Sequence, residues 1–163
     1  CIYCGTKYEL PVSDNRFQCT NCQRPFYINP VFGAGAFCFN DKGETLMIRR
    51  AKDPHKGSLD VPAGFVDWDD DSLETALCRE LKEELGIEVK DIDYLGSFYT
   101  TYDYAGIVKN NIGTFFKCKI SGNSINSDIK EVQDFEFCKP EDIDINQIQF
   151  SNTKEALKKL RRF

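Results

Sequence analysis

No apolar run in this sequence of 163 residues approaches the length that crosses a bilayer, so no membrane-spanning helix is expected. The chain also lacks an excess of positive charge. Its 21 lysine and arginine residues are outnumbered by 26 acidic ones, and the net charge of −5 argues against broad nucleic-acid binding through phosphate neutralisation. Histidine occurs only at position 55, in a stretch typical of a loop, and we assign it no role. Repeats and low-complexity segments are absent, which favours one compact domain with a small appendage.

Cysteine, by contrast, is abundant, and four of the eight residues form two C-x-x-C pairs: Cys1, Cys4, Cys19 and Cys22. Four thiolates at this spacing favour a tetrahedral structural zinc site of the zinc-ribbon type, over residues 1–27. Two disulfides are the first alternative, but a disulfide between residues three apart is strained. A redox-active C-x-x-C pair is the second, and it leaves the other pair unexplained. We expect the zinc to serve folding rather than chemistry.

The other four cysteines are scattered among apolar neighbours: Cys38, Cys78, Cys118 and Cys138. We interpret them as buried free thiols without a catalytic role. Unpaired cysteines in such number indicate a reducing compartment, so the expected location is cytoplasmic.

Residues 31–163 contain alternating strand and helix patterns, which predict an α/β layered domain. The predicted strands are residues 31–39, 45–50, 92–102, 111–120 and 132–138. The first two should form a hairpin, and residues 103–110 should form a loop. Asn152 or Thr153 should cap a final helix.

A central helix is predicted between two clear end signals. Ser72 is the expected N-cap, and Gly86 is the expected stop after Leu85. Leucines at every fourth position give this helix an apolar stripe that should face the core.

Three glutamates on that helix suggest its chemistry. With 3.6 residues per turn, Glu80, Glu83 and Glu84 project into one sector. Like charges at these spacings repel one another, so the helix gains nothing from them alone. A divalent cation turns the repulsion into a ligand set, because hard ions such as Mg²⁺ prefer carboxylate oxygens. A plain solvated helix face is the alternative.

These glutamates lie within the segment Arg79–Ile87, and Gly64 precedes them. The arrangement resembles the Nudix box, which reads Gly, five residues, Glu, seven residues, Arg-Glu, an aliphatic residue, any residue, Glu-Glu, any residue, Gly and an aliphatic residue. The second half matches at every fixed position. In the first half, Asp71 stands where Glu is expected and Gly64 lies one residue too far upstream, which we interpret as an insertion in the loop 67–70.

The resemblance implies a Nudix-type mixed sheet sandwiched between helices over residues 31–163, preceded by the small zinc ribbon. It also implies that Glu80 and Glu84 bind catalytic Mg²⁺ or Mn²⁺ directly. Glu83 would be a further ligand or would hold a water at the metal, and the carbonyl of Ala63 would complete the set.

The other box residues are implied to be structural. Arg79 should brace the loop through Asp71 or through a box glutamate. Gly64 and Gly86 should shape the loop and the helix end.

The general base is either a box glutamate, here Glu83, or a carboxylate from a later loop. Glu131 is the best later candidate because it directly precedes the strand 132–138, and Asp128 and Asp134 are weaker ones.

Substrate contacts are assigned to Arg50, which could meet a phosphate, and to Tyr102, which could stack on a base. Tyr99 and Tyr104 could stack in the same way, although such tyrosines more often pack against the rim of a sheet.

Nudix enzymes typically hydrolyse a nucleoside diphosphate linked to another group, and this is the predicted function, with an ADP-ribose or nucleotide-sugar type of substrate. NADH diphosphatase activity and clearance of oxidised nucleotides are alternatives. NADH diphosphatases carry Ser-Gln-Pro-Trp-Pro-Phe-Pro after the box, whereas residues 96–102 here are Gly-Ser-Phe-Tyr-Thr-Thr-Tyr, which weakens that alternative. A non-catalytic module that binds a partner or RNA is the alternative from another class. The expected partner is a small nucleotide rather than nucleic acid or a membrane, and a homodimer is one option.

Overall fold

The computed structural model describes residues 1–7, 11–13, 15–104, 106–121 and 124–162. The chain divides into two compact units, Cys1–Pro30 and Val31–Phe163. Neither helix in the described part of the chain is long and apolar enough to cross a membrane.

The first unit contains a three-stranded antiparallel sheet. Its strands are β1 (Pro11–Ser13), β2 (Arg16–Gln18) and β3 (Pro25–Tyr27), in that order across the sheet. Phe17 and Phe26 are direct partners across β2 and β3, with ring centroids 6.5 Å apart. An aromatic cross-strand pair of this kind is a common stabiliser of a small sheet.

The described residues of the second unit form a seven-stranded mixed sheet with two α-helices and two short 3₁₀ segments. The strands are β4 (Val31–Phe39), β5 (Thr45–Arg50), β6 (Leu59–Asp60), β7 (Ala63–Phe65), β8 (Glu88–Tyr104), β9 (Ile107–Ser121) and β10 (Val132–Cys138). The helices are α1 (Leu73–Leu85) and α2 (Ser151–Leu160), and the 3₁₀ segments are Pro140–Asp142 and Ile145–Gln147. The order is β10-β5-β4-β9-β8, with β6 on β5 and β7 on β4. The sheet is mixed because β4 and β9 run parallel while β8 and β9 run antiparallel.

Each helix covers one face of this sheet, because side chains alternate along the strands. Ala36 and Cys38 of β4 belong to the core cluster that contains the leucines of α1. Phe37, between them, belongs to the other cluster with Ala156 and Leu157 of α2. The predicted mixed sheet between helices is confirmed.

Helix α1 begins and ends where the sequence predicts. The Ser72 hydroxyl accepts a hydrogen bond from the Thr75 amide, and the Thr75 hydroxyl accepts one from the Ser72 amide. Gly86 follows in the left-handed conformation at φ 64°, which glycine adopts without steric cost. The leucine stripe at positions 77, 81 and 85 is fully buried, so this side of α1 packs against the sheet.

Several element predictions need correction. Strands 31–39, 45–50 and 132–138 are confirmed. The predicted hairpin of the first two is short, because β4 and β5 pair at Phe39 and Thr45, whereas β4 also pairs with β7 and β5 with β10. The predicted loop 103–110 is wrong, because β8 and β9 stay paired as far as Tyr104 and Ile107. The aromatic and β-branched residues there favour strand, and Gly106 at φ 79° supplies the turn.

The final helix begins at Ser151 with Phe150 as its N-cap, so the predicted cap at Asn152 or Thr153 is wrong. Both residues lie inside the helix and are buried. The Thr153 hydroxyl donates instead to Asp60 of β6, at 2.9 Å. The Thr153 side chain, which local capping rules would place at the helix N-terminus, therefore forms a tertiary hydrogen bond instead.

Candidate active site

Gly64 of β7 lets the sheet approach α1 closely. A Cβ built at this position would lie 1.9 Å from Cδ of Glu80, far inside van der Waals contact. The absence of a side chain at Gly64 therefore lets the Glu80 carboxylate lie directly against β7. Burial raises the pKa of Glu80, and the hydrogen bond from Arg79 opposes the rise.

Arg79 connects the loop before α1 with two of the glutamates. Its Nη1 lies 2.9 Å from Oε1 of Glu80 and 3.3 Å from Oε2 of Glu83. Its Nη2 donates to the carbonyl of Phe65 at 2.9 Å. Nε and Nη2 both donate to the Asp70 carboxylate, at 3.2 and 2.8 Å, and this hydrogen bonding lowers the pKa of Asp70.

The loop carboxylate that braces Arg79 is thus Asp70, whereas Asp71, the residue expected there, is exposed. Counted forward from Gly64, Asp70 stands at the regular spacing of the box. The extra residue consequently lies between Asp70 and Arg79, where Ser72 begins the helix, and not in the loop 67–70. Counting from the glycine as well as from the arginine would have revealed Asp70 in the sequence.

Glu84 has a buried carboxylate oxygen and a strongly raised pKa. Its Oε2 is buried and has no hydrogen-bond partner among the described residues. Burial, together with the charges of Glu80 and Glu131, raises its pKa to about 8, and Arg50 opposes the rise. A buried carboxylate without a donor is costly, and a divalent cation is the partner that such an oxygen fits best.

The glutamates nevertheless do not converge closely. Within the described ranges, one group of three or more His, Cys, Asp or Glu ligand atoms lies within 4.8 Å of one another, and it is the cysteine group. Arg79 holds one oxygen each of Glu80 and Glu83, and the Glu83 side chain is 61% exposed. This leaves the second oxygen of each of these two glutamates for a cation shared with Glu84.

The segment before β10 is tied to the C-terminal end of α1. The amide of Asn126 donates to the carbonyl of Leu85, and the amide of Asp128 donates to that of Glu84, both at 2.8 Å. Glu131 follows, and its charge contributes to the raised pKa of Glu84. Its carboxylate lies 2.5 Å from Nζ of Lys52. Of the three late carboxylates, Glu131 is the one whose charge raises the pKa of Glu84.

Arg50 at the end of β5 is enclosed by contacts within the protein. Nε donates to the carbonyl of Pro54 at 2.9 Å, and the guanidinium lies over the ring of Phe150 at 5.1 Å. Nη1 lies 3.7 Å from Oδ2 of Asp60, a buried residue whose pKa burial raises to about 6. Tyr102 belongs to β8, but its side chain lies outside the described part of the structure.

Asp60 is a residue that sequence reasoning missed. The signal available was one acidic residue between Leu59 and Val61, inside an otherwise apolar stretch. A charge in a short buried strand needs partners, and that requirement marks it for attention.

The four N-terminal cysteines form a compact cluster in the first unit. The Sγ atoms of Cys1 and Cys22 are 3.7 Å apart, and those of Cys4 and Cys19 are 3.6 Å apart. Ligands at about 2.3 Å from a tetrahedral zinc are separated by about 3.8 Å, so this spacing fits a bound metal.

Both C-x-x-C turns of this cluster have the same backbone geometry. The residue after each pair, Gly5 and Gln23, has a positive φ, and its amide donates to the carbonyl of the first cysteine of the pair. The described cysteines are all free. The two-disulfide alternative therefore has no support in the structure.

One cavity of about 850 Å³ lies away from the glutamates. It is lined by Asp91, Lys117 and Arg161 among others, and none of the predicted site residues lines it. We rely on the chemistry of the buried carboxylates, because a site that takes a charged diphosphate need not be an apolar hollow.

Fold and site together define a class: an α/β sandwich in which one helix presents a carboxylate set beside a glycine of the sheet. The model of the NUDIX domain family matches residues 30–160, and the chain belongs to this family. The predicted family is confirmed.

Comparisons with individual proteins agree with this assignment. NAD-capped RNA hydrolase NudC of Pseudomonas aeruginosa is 29% identical over 97 residues, which cover 60% of this chain and 34% of that protein. The chain spans about a third of the length of the curated relatives it matches. These relatives are named as hydrolases, in agreement with the predicted enzyme class.

Two solved structures show the same fold. A NUDIX hydrolase from Nitrosomonas europaea has a TM-score of 0.75 at 24% identity, covering 97% of this chain and 87% of that one. The NUDIX domain of Shewanella oneidensis NrtR, complexed with ADP ribose, has a TM-score of 0.66 at 20% identity, covering 83% and 89%.

Proposed function

We propose that this protein hydrolyses the diphosphate bond of a nucleoside diphosphate linked to another group, with Mg²⁺ or Mn²⁺ as the cofactor. The observation that carries the proposal is Glu84, with one buried oxygen that has no partner and a pKa raised to about 8. A purely structural role does not explain a buried carboxylate that lacks a hydrogen-bond partner, because an apolar residue would fill the same space at no electrostatic cost. A cation-binding role accounts for it.

The residues would divide the work as follows. Glu80 and Glu84 would hold the cation, with the carbonyl of Ala63 beside them. The bound cation would neutralise the diphosphate and lower the pKa of the attacking water. Arg79 would keep Glu80 and Glu83 in place through its brace on Asp70.

A proton acceptor for the attacking water is available on either side of this set. Glu83 is exposed and bonded to Arg79, so it can reach solvent and substrate. Glu131 influences Glu84 but shares its carboxylate with Lys52. We favour Glu131, because it follows a loop anchored on α1 near Glu84 and is not itself assigned as a ligand of the cation.

We further propose that the cysteine cluster holds one structural Zn²⁺, on the sulfur spacing and the repeated turn geometry described above. The cytoplasm suits eight free thiols, and we retain it as the proposed location. A homodimer stays a prediction.

The substrate is the finer part of the proposal. ADP ribose is the first candidate, because the same fold holds it in the NrtR domain. NAD-capped RNA and NADH are the second, because the matched relatives are named for the capped RNA. The net charge of −5 favours the small molecule over the RNA.

A substrate panel with a matched pair of variants tests the function. ADP-ribose, a nucleotide sugar, NADH, an oxidised nucleoside triphosphate and NAD-capped RNA are each incubated with Mg²⁺ or Mn²⁺, and the nucleotide products are quantified. We expect Glu84→Gln to keep the fold and to lose several orders of magnitude in rate. Glu88→Gln, an exposed glutamate just past the helix, should retain the wild-type rate. A near-normal rate for Glu84→Gln would overturn the ligand assignment.

A further inference from the structure

Asp60 and Arg50 form an ion pair in the interior of the second unit, and no role in the proposed reaction has been given to Asp60. The Asp60 side chain is 6% exposed and that of Arg50 is 20% exposed. An acid so deeply buried would ordinarily be replaced by an apolar residue unless its charge were used.

Every oxygen of Asp60 has a defined partner. Oδ1 accepts from the Val61 amide and from the Thr153 hydroxyl, each at 2.9 Å. Oδ2 faces Nη1 of Arg50 at 3.7 Å. The carboxylate is thus held by its own strand and by α2, and it presents its second oxygen to the guanidinium.

Arg50 is oriented by the same surroundings. The carbonyl of Pro54 and the ring of Phe150 take one side of its guanidinium, and Asp60 takes another. Arg50 is the cross-strand partner of Val132 in β10. The Val132 amide donates to the carbonyl of Asp128, and the Asp128 amide donates to that of Glu84, so the end of β5 lies next to the part of α1 that carries the glutamate set.

We propose that Asp60 is a positioning residue, which holds the Arg50 guanidinium beside the glutamate set so that it receives a phosphate of the substrate. Thr153 of α2 aims the Asp60 carboxylate, so the last helix supports the phosphate contact through a chain of side chains. This inference rests on the proposed function, since it concerns the same substrate class.

The physical argument is one of preorganisation. A free arginine side chain has about 2 kcal/mol of rotamer entropy, which binding must otherwise remove. An arginine already fixed by a carboxylate, a carbonyl and an aromatic ring gives up little further freedom when a phosphate arrives. Loss of Asp60 should therefore affect the same step as loss of Arg50, and the two losses should not add.

A double-mutant cycle on ligand binding tests this. Wild type, Asp60→Asn, Arg50→Met and the double variant are titrated calorimetrically with α,β-methylene-ADP in the presence of Mg²⁺. We expect each single variant to weaken binding by about tenfold or more and the double variant to be no weaker than Arg50→Met. Glu136→Gln is the matched control, because it removes an exposed carboxylate from the neighbouring Arg49 and should leave binding unchanged.

Several results would overturn the inference: additive losses in the double variant, wild-type binding by Asp60→Asn, or no binding of the analogue by the wild type. A merely structural Asp60 would lower the melting temperature and leave the affinity of the folded protein unchanged. Failure of the proposed function is distinguishable, because the analogue would then bind with the expected coupling while no member of the substrate panel is hydrolysed.

Discussion

The two candidate metal sites of this chain differ in how complete they are without a metal. The four cysteine sulfurs lie within 4.8 Å of one another, and backbone turns shape both halves of the cluster. The glutamates of α1 sit in three environments: Glu80 against β7, Glu83 in solvent and Glu84 buried. The cysteine site is specified by its backbone, whereas the glutamate site is specified by what surrounds each side chain.

This difference follows from what each site is proposed to do. A structural ion needs a closed ligand set that forms once and stays. A catalytic ion must leave room for substrate, and its ligands must accept a changing charge. Arg79 holds Glu80 and Glu83, and the unpartnered oxygen of Glu84 is available to a cation.

The largest expected effect is at the cysteine site. Cys19→Ser should abolish zinc binding, since structural zinc contributes about 10–16 kcal/mol of binding free energy in small zinc domains at neutral pH. Native mass spectrometry should find one zinc in the wild type and none in the variant. Cys138→Ser, at a half-buried cysteine of β10, should retain the metal. A variant at Cys19 that still holds one zinc would contradict the proposed ligand set.

A smaller but clear effect is expected where the sheet meets α1. Gly64→Ala places a methyl group on the Glu80 carboxylate and should lower kcat/KM about 100-fold, because a displaced ligand misaligns the reacting groups. Steady-state kinetics with the substrate found by the panel measure it. Gly43→Asn, in a turn where a Cβ meets nothing within 4 Å, is the control and should behave as wild type. Unchanged turnover in Gly64→Ala would mean that Glu80 is not a ligand.

The pH dependence of stability distinguishes the two sites further. Without a cation, the stability linked to Glu84 is full below its ordinary pKa of 4.5 and is lost as pH rises through about 8. Mg²⁺ should therefore raise the melting temperature more near about pH 9 than near about pH 5. At 100 times its Kd, a bound ion adds up to about 2.7 kcal/mol to the free energy of unfolding.

Differential scanning calorimetry at both pH values, with and without Mg²⁺, makes the comparison. Asp60 also has a raised pKa, so the variant Glu84→Gln is needed to isolate the glutamate. In that variant the pH dependence of the Mg²⁺ effect should disappear. Equal stabilisation by Mg²⁺ at both pH values in the wild type would argue against Glu84 as a ligand.

The smallest expected effect separates two neighbouring acids. Asp70→Asn weakens the brace on Arg79 and should lower kcat/KM several-fold, while Asp71→Asn should change nothing. Parallel kinetics of the two variants, with melting temperatures as the control for folding, decide between them. The reverse result would restore Asp71 to the box.

The parts of this structure that depend on local chemistry could be predicted from the sequence. Ser72 and Gly86 bound α1 because capping and left-handed backbone are local requirements. The paired cysteines follow in the same way from spacing along the chain, whereas the three glutamates, which share one sector by their spacing, lie in three different environments. Residues whose role depends on distant partners were not predicted correctly. Thr153, for example, donates a hydrogen bond to Asp60 and does not cap the helix.

The length of β8 and β9 shows the same limit. Residues 103–110 mix polar residues typical of loops with aromatic and β-branched residues typical of strands, and the pairing between β8 and β9 favours strand through most of them. A residue count made from one end of a motif likewise concealed Asp70, because a single inserted position shifts every assignment upstream of it.

The bond between Thr153 and Asp60 also has a consequence for biosynthesis. The two residues are separated by 93 positions, so the ribosome makes the carboxylate long before the hydroxyl that stabilises it. Until α2 has been synthesised, the nascent chain must either leave β6 unpaired or bury Asp60 without the Thr153 donor. The second option costs about 1–3 kcal/mol. Prematurely terminated chains should therefore be poor folders and ready substrates for cellular proteolysis, even though every glutamate of α1 is already present in them.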